Sequence, residues 1–138
     1  MPDLHYSLLP DLSRPLLDKF YRAHRSPMRS ACDAQLWVAR AAEIVAALCL
    51  RPVSEGFWLT GLLVDPAWRG QGVARAMIEQ VQGQCEASIW LFCHPELFDF
   101  YHRLGFVEAG DLPGSLCERL VRYQRSKPLI ALQWQRAP

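Results

Sequence analysis

Residues 64–78 read VDPAWRGQGVARAMI: an apolar ending, a turn carrying an arginine and two glycines, and the start of an amphipathic segment. Val64 closes FWLTGLLV (57–64), whose length and bulk suit a buried strand, and Pro66 lacks the N–H that would extend its ladder. Beyond Gly72, Val73, Met77 and Val81 fall at i, i+4 and i+8 with Ala74 and Ile78 beside them, while Arg75, Glu79 and Gln82 face away. This spacing predicts a helix, with Gly83 fitting its C-cap. The glycines therefore stand where a strand hands over to a helix N-terminus, and the unpaired N–H groups and positive dipole end there favour an anion.

Working outward, Leu4–Leu9 reads as a short first strand, and Ser13 followed by Pro15 as a helix start with Leu16, Leu17, Phe20 and Tyr21 on one face. Arg22–Asp33 is a polar connection with room for a second short helix. Gln35–Ala41 and Glu43–Val53 are apolar runs with almost nothing between them, which predicts a hairpin near Ala42, although the alanines of the second run also suit a helix. Pro52, Ser54, Glu55 and Gly56 make the next turn, and Phe57–Val64 becomes the third strand of an antiparallel meander. SIWLFC (88–93) is then reached by a helical crossover, the connection that parallel pairing requires. His94-Pro95 opens a helix from Glu96 to Leu104 that Gly105 ends, and Phe106–Ala109 is strand-like. Ser115 and Glu118 have capping-box spacing, Leu116, Leu120 and Tyr123 share a face of the helix that follows, and Pro128–Gln135 gives a last strand. The expected architecture is a single α/β (α+β) domain over 1–138, a mixed central sheet of about six to seven strands with helices on both faces.

Composition narrows the function classes. Fifteen Lys/Arg against fourteen Asp/Glu leave a formal charge of +1, so no global field recommends nucleic acid or an anionic membrane as partner. Cysteines 32, 49, 85, 93 and 117 are odd in number with no C-x-x-C pair, and read as reduced thiols of a cytoplasmic protein. MPDLHYSLLPDLSRPLL has no basic n-region and does not read as a secretory signal. No apolar run approaches the ~20 residues of a membrane span. Cys93, His94 and His102 lie close in sequence without zinc-type spacing, so no metal is expected. Arg119, Arg122 and Arg125 recur every three residues on the penultimate helix and read as a solvated face before a phosphate contact.

Among phosphate-binding loops, a Walker loop is excluded because no Gly-Lys followed by Ser or Thr occurs. A dinucleotide fingerprint is weak, since Asp65 to Arg69 separate the glycines from the strand and Arg75 fills the last small position. What remains is R-G-x-G-x-A, Arg69 to Ala74, after a strand and a V-D-P turn. Here the chain resembles the GCN5-related N-acetyltransferases (GNAT superfamily), whose pyrophosphate loop has the form Q/R-x-x-G-x-G/A; Arg69, Gly72 and Ala74 occupy its specified positions. A second match is HPELFDFYHRLGF (94–106), similar to the family's helix bearing F-Y followed by x-x-x-G-F, with Phe100, Tyr101, Gly105 and Phe106 in place.

The resemblance implies transfer of an acetyl group from acetyl-CoA to a primary amine, by direct attack through a tetrahedral intermediate. It implies that the backbone of Leu62, Leu63 and Val64 meets the thioester and pantetheine arm. The loop Arg69, Gly70, Gln71, Gly72, Ala74 and Arg75 would hold the pyrophosphate, and Tyr101 would protonate the departing thiolate. His94 stands where the family commonly has Asn, seven residues before the tyrosine, and is carried as a cofactor contact on that ground. Some relatives place Glu or His on the strand before the loop; the positions here are Trp58 and Thr60, neither a base. Glu43, Glu55, Asp33 and His94 could act through water but read first as turn or surface residues, and a ping-pong route through Cys93 has no marker of a lowered thiol pKa. Tyr21, Trp37, Trp58 and Trp134 could wall an acceptor cleft or belong to the core. The absence of an acidic or basic run favours a small-molecule amine over a protein and leaves a homodimer open. The alternative class is a non-catalytic acyl-CoA-binding sensor or partner domain on the same fold.

Overall fold

The long apolar runs between residues 35 and 64 leave the chain little choice but consecutive strands. The computed structural model, which describes residues 3–30 and 33–136, has them so. β1 (His5–Leu8), β2 (Gln35–Arg40), β3 (Ile44–Val53) and β4 (Gly56–Val64) are neighbours in a seven-stranded sheet, which β5 (Ser88–Cys93), β6 (Val107–Glu108) and β7 (Ile130–Trp134) complete in the order β1-β2-β3-β4-β5-β7-β6. β1 pairs antiparallel with β2 from His5↔Arg40 to Leu8↔Trp37, and β2 with β3 from Gln35↔Leu50 to Arg40↔Ile44, with a register shift after Ala39. β4 and β5 form the parallel pair, registered at Gly56↔Ser88, Phe57↔Ile89 and Trp58↔Trp90. β7 runs antiparallel to both β5 and β6. The alanine-rich run 44–53 is a strand because it is flanked on both sides in the sheet, a tertiary constraint that outweighs alanine's helix propensity.

Contacts divide the chain into two compact units. One takes in the residues up to Arg51 together with Leu59–Gln84; the other takes in Pro52–Trp58 together with the residues from Cys85 on. In the first, α1 (Arg14–Ala23) buries Leu17, Phe20 and Tyr21 against Leu36, Val38, Ala47 and Cys49. Because strand residues alternate faces, Trp37 and Ala39 point the other way, and they too are buried. α2 (Val73–Gln84), which packs against β2, buries Val73, Met77, Ile78 and Val81. β2 is therefore covered on both faces.

In the second unit, Trp58 and Trp90 pack with Leu116 of α4 (Gly114–Gln124), and Val53, Phe92, Leu112 and Tyr123 close around them. Several boundaries differ from the sequence reading. Gly83 lies inside α2, which runs on to Gln84, so it caps nothing. The segment 96–104 is a 3-10 turn, Pro95–Leu97, leading into a five-residue α3, Phe98–His102. α4 begins one residue before Ser115 with Pro113 at its N-cap and no side-chain cap bond, so the capping box does not form. A proline with fixed φ starts this helix instead. Residues 24–30 hold no second helix, and Cys32 lies outside the described residues. Among the described residues no helix is long and apolar enough to cross a membrane.

Candidate active site

In the first unit, the turn after β4 is built by side chains reaching back to backbone. Asp65 donates its N–H to Val45 O at 2.8 Å, and its Oδ1 accepts from Ala67 N at 2.9 Å, starting the 3-10 turn Pro66–Trp68. Arg69 Nε donates to Val64 O at 3.2 Å and Gln71 Nε2 to Ala67 O at 3.5 Å. These bonds carry the chain from strand to helix with Gly70 and Gly72 both at φ +77°. A side chain on any other residue is strained in that conformation. Both glycines are exposed, and no atom lies within 4 Å of where a Cβ would stand on either. Gly72 O accepts the N–H of Ala76 at 3.0 Å, so the helix begins here and its first amides have no partner within it. The Arg75 side chain is turned to Glu79 at 3.1 Å, leaving its backbone as the part of Arg75 in the loop. The result is an exposed turn, residues 69–72, with open space over both glycines, at the N-terminus of a twelve-residue helix. A pyrophosphate fits such a nest.

The strand before the loop carries a feature that the sequence reading missed. Gly61, in mid-β4, has φ +66°, and its carbonyl accepts the hydroxyl of the fully buried Tyr21 at 2.7 Å. A Cβ on Gly61 would stand 2.7 Å from that hydroxyl and 3.2 Å from Met28 Cε. A lone glycine inside FWLTGLLV was the available signal, since glycine in a bulky strand marks a bulge or a close approach. Tyr21 is thereby a core and positioning residue, not an aromatic wall of a cleft. Burial above all, then Cys49 and Asp18, holds its phenol far above the usual range, so it remains a donor. From Thr60 to Val64 every residue of β4 is only half-buried, although the strand is interior to the sheet and four of the five are apolar or glycine. Leu62, Leu63 and Val64 lie in that stretch.

In the second unit, Tyr101 is buried on α3, edge-on to Phe100 at 5.0 Å and Phe106 at 5.7 Å. Its C=O belongs to the tight turn that follows, accepting from Leu104 N at 2.9 Å and from Phe106 N at 3.1 Å. Burial, with a smaller contribution from Cys93, pushes the phenol up to about 12. The Cys93 thiol is itself pushed up to about 11 by burial. It is a thiol at neutral pH, the reverse of what a nucleophilic cysteine requires. His94 is exposed at the start of the 3-10 turn and makes no side-chain cap bond. His102 stacks on Phe98 at 5.1 Å and its Nδ1 meets Phe106 O at 3.1 Å, which gives it a structural occupation.

Trp58 is buried with Arg119 over its ring at 5.1 Å, so one arginine of the 119/122/125 series is a packing partner. Thr60 is half-buried on β4. Trp37 is buried and Trp134 half-buried. Asp33, Glu43 and Glu55 are exposed at turns, Glu55 at φ +69°. Among the described residues no group of three His, Cys, Asp or Glu is disposed to hold a metal.

With this geometry, comparison with known proteins is direct. The family model for the acetyltransferase (GNAT) domain matches residues 32–108, more than half of the chain. No curated protein matches it in sequence. Among solved structures, the ribosomal-protein-S18-alanine N-acetyltransferase from Escherichia coli superposes with a TM-score of 0.73 at 18% identity, covering 99% of this chain and 97% of that one. A GNAT-family acetyltransferase from Staphylococcus aureus Mu50 gives 0.68 at 15%, covering 96% and 98%. The N-acetylglutamate synthase from Neisseria gonorrhoeae, complexed with coenzyme A and N-acetyl-glutamate, gives 0.71 at 11%, covering all of this chain and 36% of that one. The chain belongs to the GNAT family of acyl-CoA-dependent N-acetyltransferases.

Proposed function

We propose that this enzyme moves an acetyl group from acetyl-CoA to the primary amine of a small molecule by direct attack. The observation that carries the reading is the loop 69–75, where Gly70 and Gly72, exposed at φ +77° with nothing within 4 Å of their Cβ positions, lead into the N-terminus of α2. Backbone N–H groups of Gln71, Gly72, Ala74 and Arg75 hold the pyrophosphate; Arg69 braces the turn through Val64 O. The half-buried stretch Leu62–Val64 offers strand amides to the pantetheine arm and to the oxyanion. One such oxyanion donor is worth about 3–4 kcal/mol. The positive φ of Gly61, pinned by Tyr21, sets the direction of the amides that follow it.

The amine nitrogen bonds to the thioester carbon, the carbonyl oxygen takes the negative charge, and the C–S bond then breaks with its electron pair going to sulphur. Tyr101 is the donor that meets that charge. With its phenol raised to about 12 it stays fully protonated. Complete transfer to a thiolate of pKa ~8.5 is uphill by roughly 5 kcal/mol, so Tyr101 acts chiefly as a hydrogen-bond donor while the bond breaks, and the proton passes over as water re-enters. No carboxylate or imidazole stands at 58 or 60, so the amine sheds its proton to water before attack. An amine panel assayed by release of free thiol tests the reading. Turnover of small primary amines supports it, whereas acetyl-CoA binding without thiol release on any amine would favour a sensor.

A further inference from the structure

A cavity of about 350 Å³ lies along the second half of α1, beside the end of β2, the β2–β3 turn and Asp65. None of residues 69–75 lines it. Phe20, Ile44 and the exposed Leu16 give it an apolar wall, and its volume falls within the range of small-molecule sites. Charge is the second component. Asp65 is already committed, with Oδ1 on Ala67 N at 2.9 Å and Oδ2 facing His24 Nε2 at 3.8 Å. His24 is held in turn edge-on to Phe20, ring centroids 4.7 Å apart. Lys19 and Arg40 have no ion-pair partner among the described residues, and against these two cations the cavity sets a single uncommitted carboxylate, the exposed Glu43.

We propose that this cavity is a second binding site, for a small carboxylate with an apolar body. The chain of such a ligand lies on Phe20 and Ile44, and its carboxylate reaches Lys19 and Arg40. Although Glu43 and Asp65 balance the two cations over the wall as a whole, an ammonium placed directly between Lys19 and Arg40 would meet like charges, and a neutral ligand would forgo the charge-assisted contacts. The inference is independent of acetyl transfer.

The test is a series of amide-resolved NMR titrations of the full chain at constant ionic strength with hexanoate, hexylammonium and hexanol, followed by acetyl-CoA. Hexanoate is expected to produce saturable shifts at Lys19, His24, Arg40 and Glu43, with at least fivefold tighter binding than either of the other two. Charge reversal at the exposed Lys19 and the half-buried Arg40, Lys19→Glu with Arg40→Glu, is expected to weaken hexanoate at least tenfold while the acetyl-CoA shifts persist. The milder pair Lys19→Gln and Arg40→Gln serves if the reversed protein loses its dispersed spectrum. The proposal is overturned if hexanoate gives no saturable shift at those residues, if hexylammonium binds as well, if neither pair of substitutions weakens it, or if hexanoate moves only residues 69–75.

Discussion

The phenol of Tyr21 donates to the carbonyl of Gly61 across 2.7 Å, joining α1 to a strand residue held in left-handed backbone. The bond is partly buried and its acceptor lies one residue before the stretch assigned to the thioester. Tyr21→Phe should therefore cost about 1 kcal/mol by removing the donor from a half-buried carbonyl. Gly61→Ala should cost more, because a methyl there stands 2.7 Å from the hydroxyl at a φ that alanine resists. Urea titrations of the single and double variants check this. Once Tyr21→Phe has removed the hydroxyl, the nearest ring atom lies at 3.3 Å, so Gly61→Ala should be less damaging in that background than in the parent.

The same pair of residues shows what the sequence could carry. The antiparallel meander, the mixed sheet and the glycine loop followed from runs of apolar residues, from a proline that ends a strand and from helical spacing, all of which are local signals, whereas the place of β7 between β5 and β6 did not. That Tyr21 and Gly61 meet is a long-range fact, forty residues apart, and only the isolated glycine hinted at it. Ser115 and Glu118 have the right spacing for a box, yet Pro113 starts α4 earlier and the box never forms. Gly83 looked like an ending because the apolar face stops at Val81, but the helix continues one residue past it. Tyr101 was legible as a candidate from its motif. Its raised pKa was not, since this comes from burial and from Cys93, eight positions away in sequence.

Cysteine reactivity follows from burial. At pH 8 iodoacetamide should modify the exposed Cys117 readily and leave Cys93 unlabelled in the folded protein, because Cys93 is buried with its thiol raised to about 11. Peptide mapping before and after denaturation reads the difference. Rapid folded-state labelling of Cys93 would contradict the burial assigned to it and revive a thiolate route.

Alkaline pH should destabilise the protein through its buried phenols. Tyr101 rises from 10.0 to about 12 on folding, so the stability it contributes is complete below pH 10 and is lost as pH climbs through 12. The shift corresponds to on the order of 2–3 kcal/mol. Tyr21, also raised, acts in the same direction. Urea midpoints should fall over this window, and fall less steeply in Tyr101→Phe. An unchanged slope in that variant would place the ionising phenol elsewhere.

The pH dependence of turnover tests the absence of a side-chain base. With Trp58 and Thr60 where relatives carry one, log kcat/KM should rise with slope near one from pH 7 toward the amine's own pKa, ~10.4 for an alkylamine. No falling limb is expected below pH 10, since Tyr101 keeps its proton to about 12. A plateau starting near pH 7, unchanged across amines of different pKa, would reveal a protein base.

Tyr101→Phe retains the ring that packs on Phe100 and Phe106 and removes the donor alone. The expected outcome is a tenfold to thousandfold lower kcat, roughly, with acetyl-CoA KM little changed, the pattern of an interaction made in the transition state. The comparison needs an amine whose reactivity shows chemistry to be rate-limiting. An unchanged kcat under that condition would make Tyr101 a packing residue and no donor.

The measurement closest to the centre of this account is calorimetric titration of acetyl-CoA into the parent protein and into Gly72→Glu. The substitution adds a carboxylate to an exposed position with no neighbour within 4 Å of its Cβ, so the fold should survive the strain of φ +77° while the row of amides receives bulk and negative charge. The expected result is micromolar-range binding by the parent and none measurable in the variant, with both unfolding cooperatively. A folded Gly72→Glu protein that binds acetyl-CoA as tightly as its parent would contradict the assignment of residues 69–75 as the cofactor's phosphate loop.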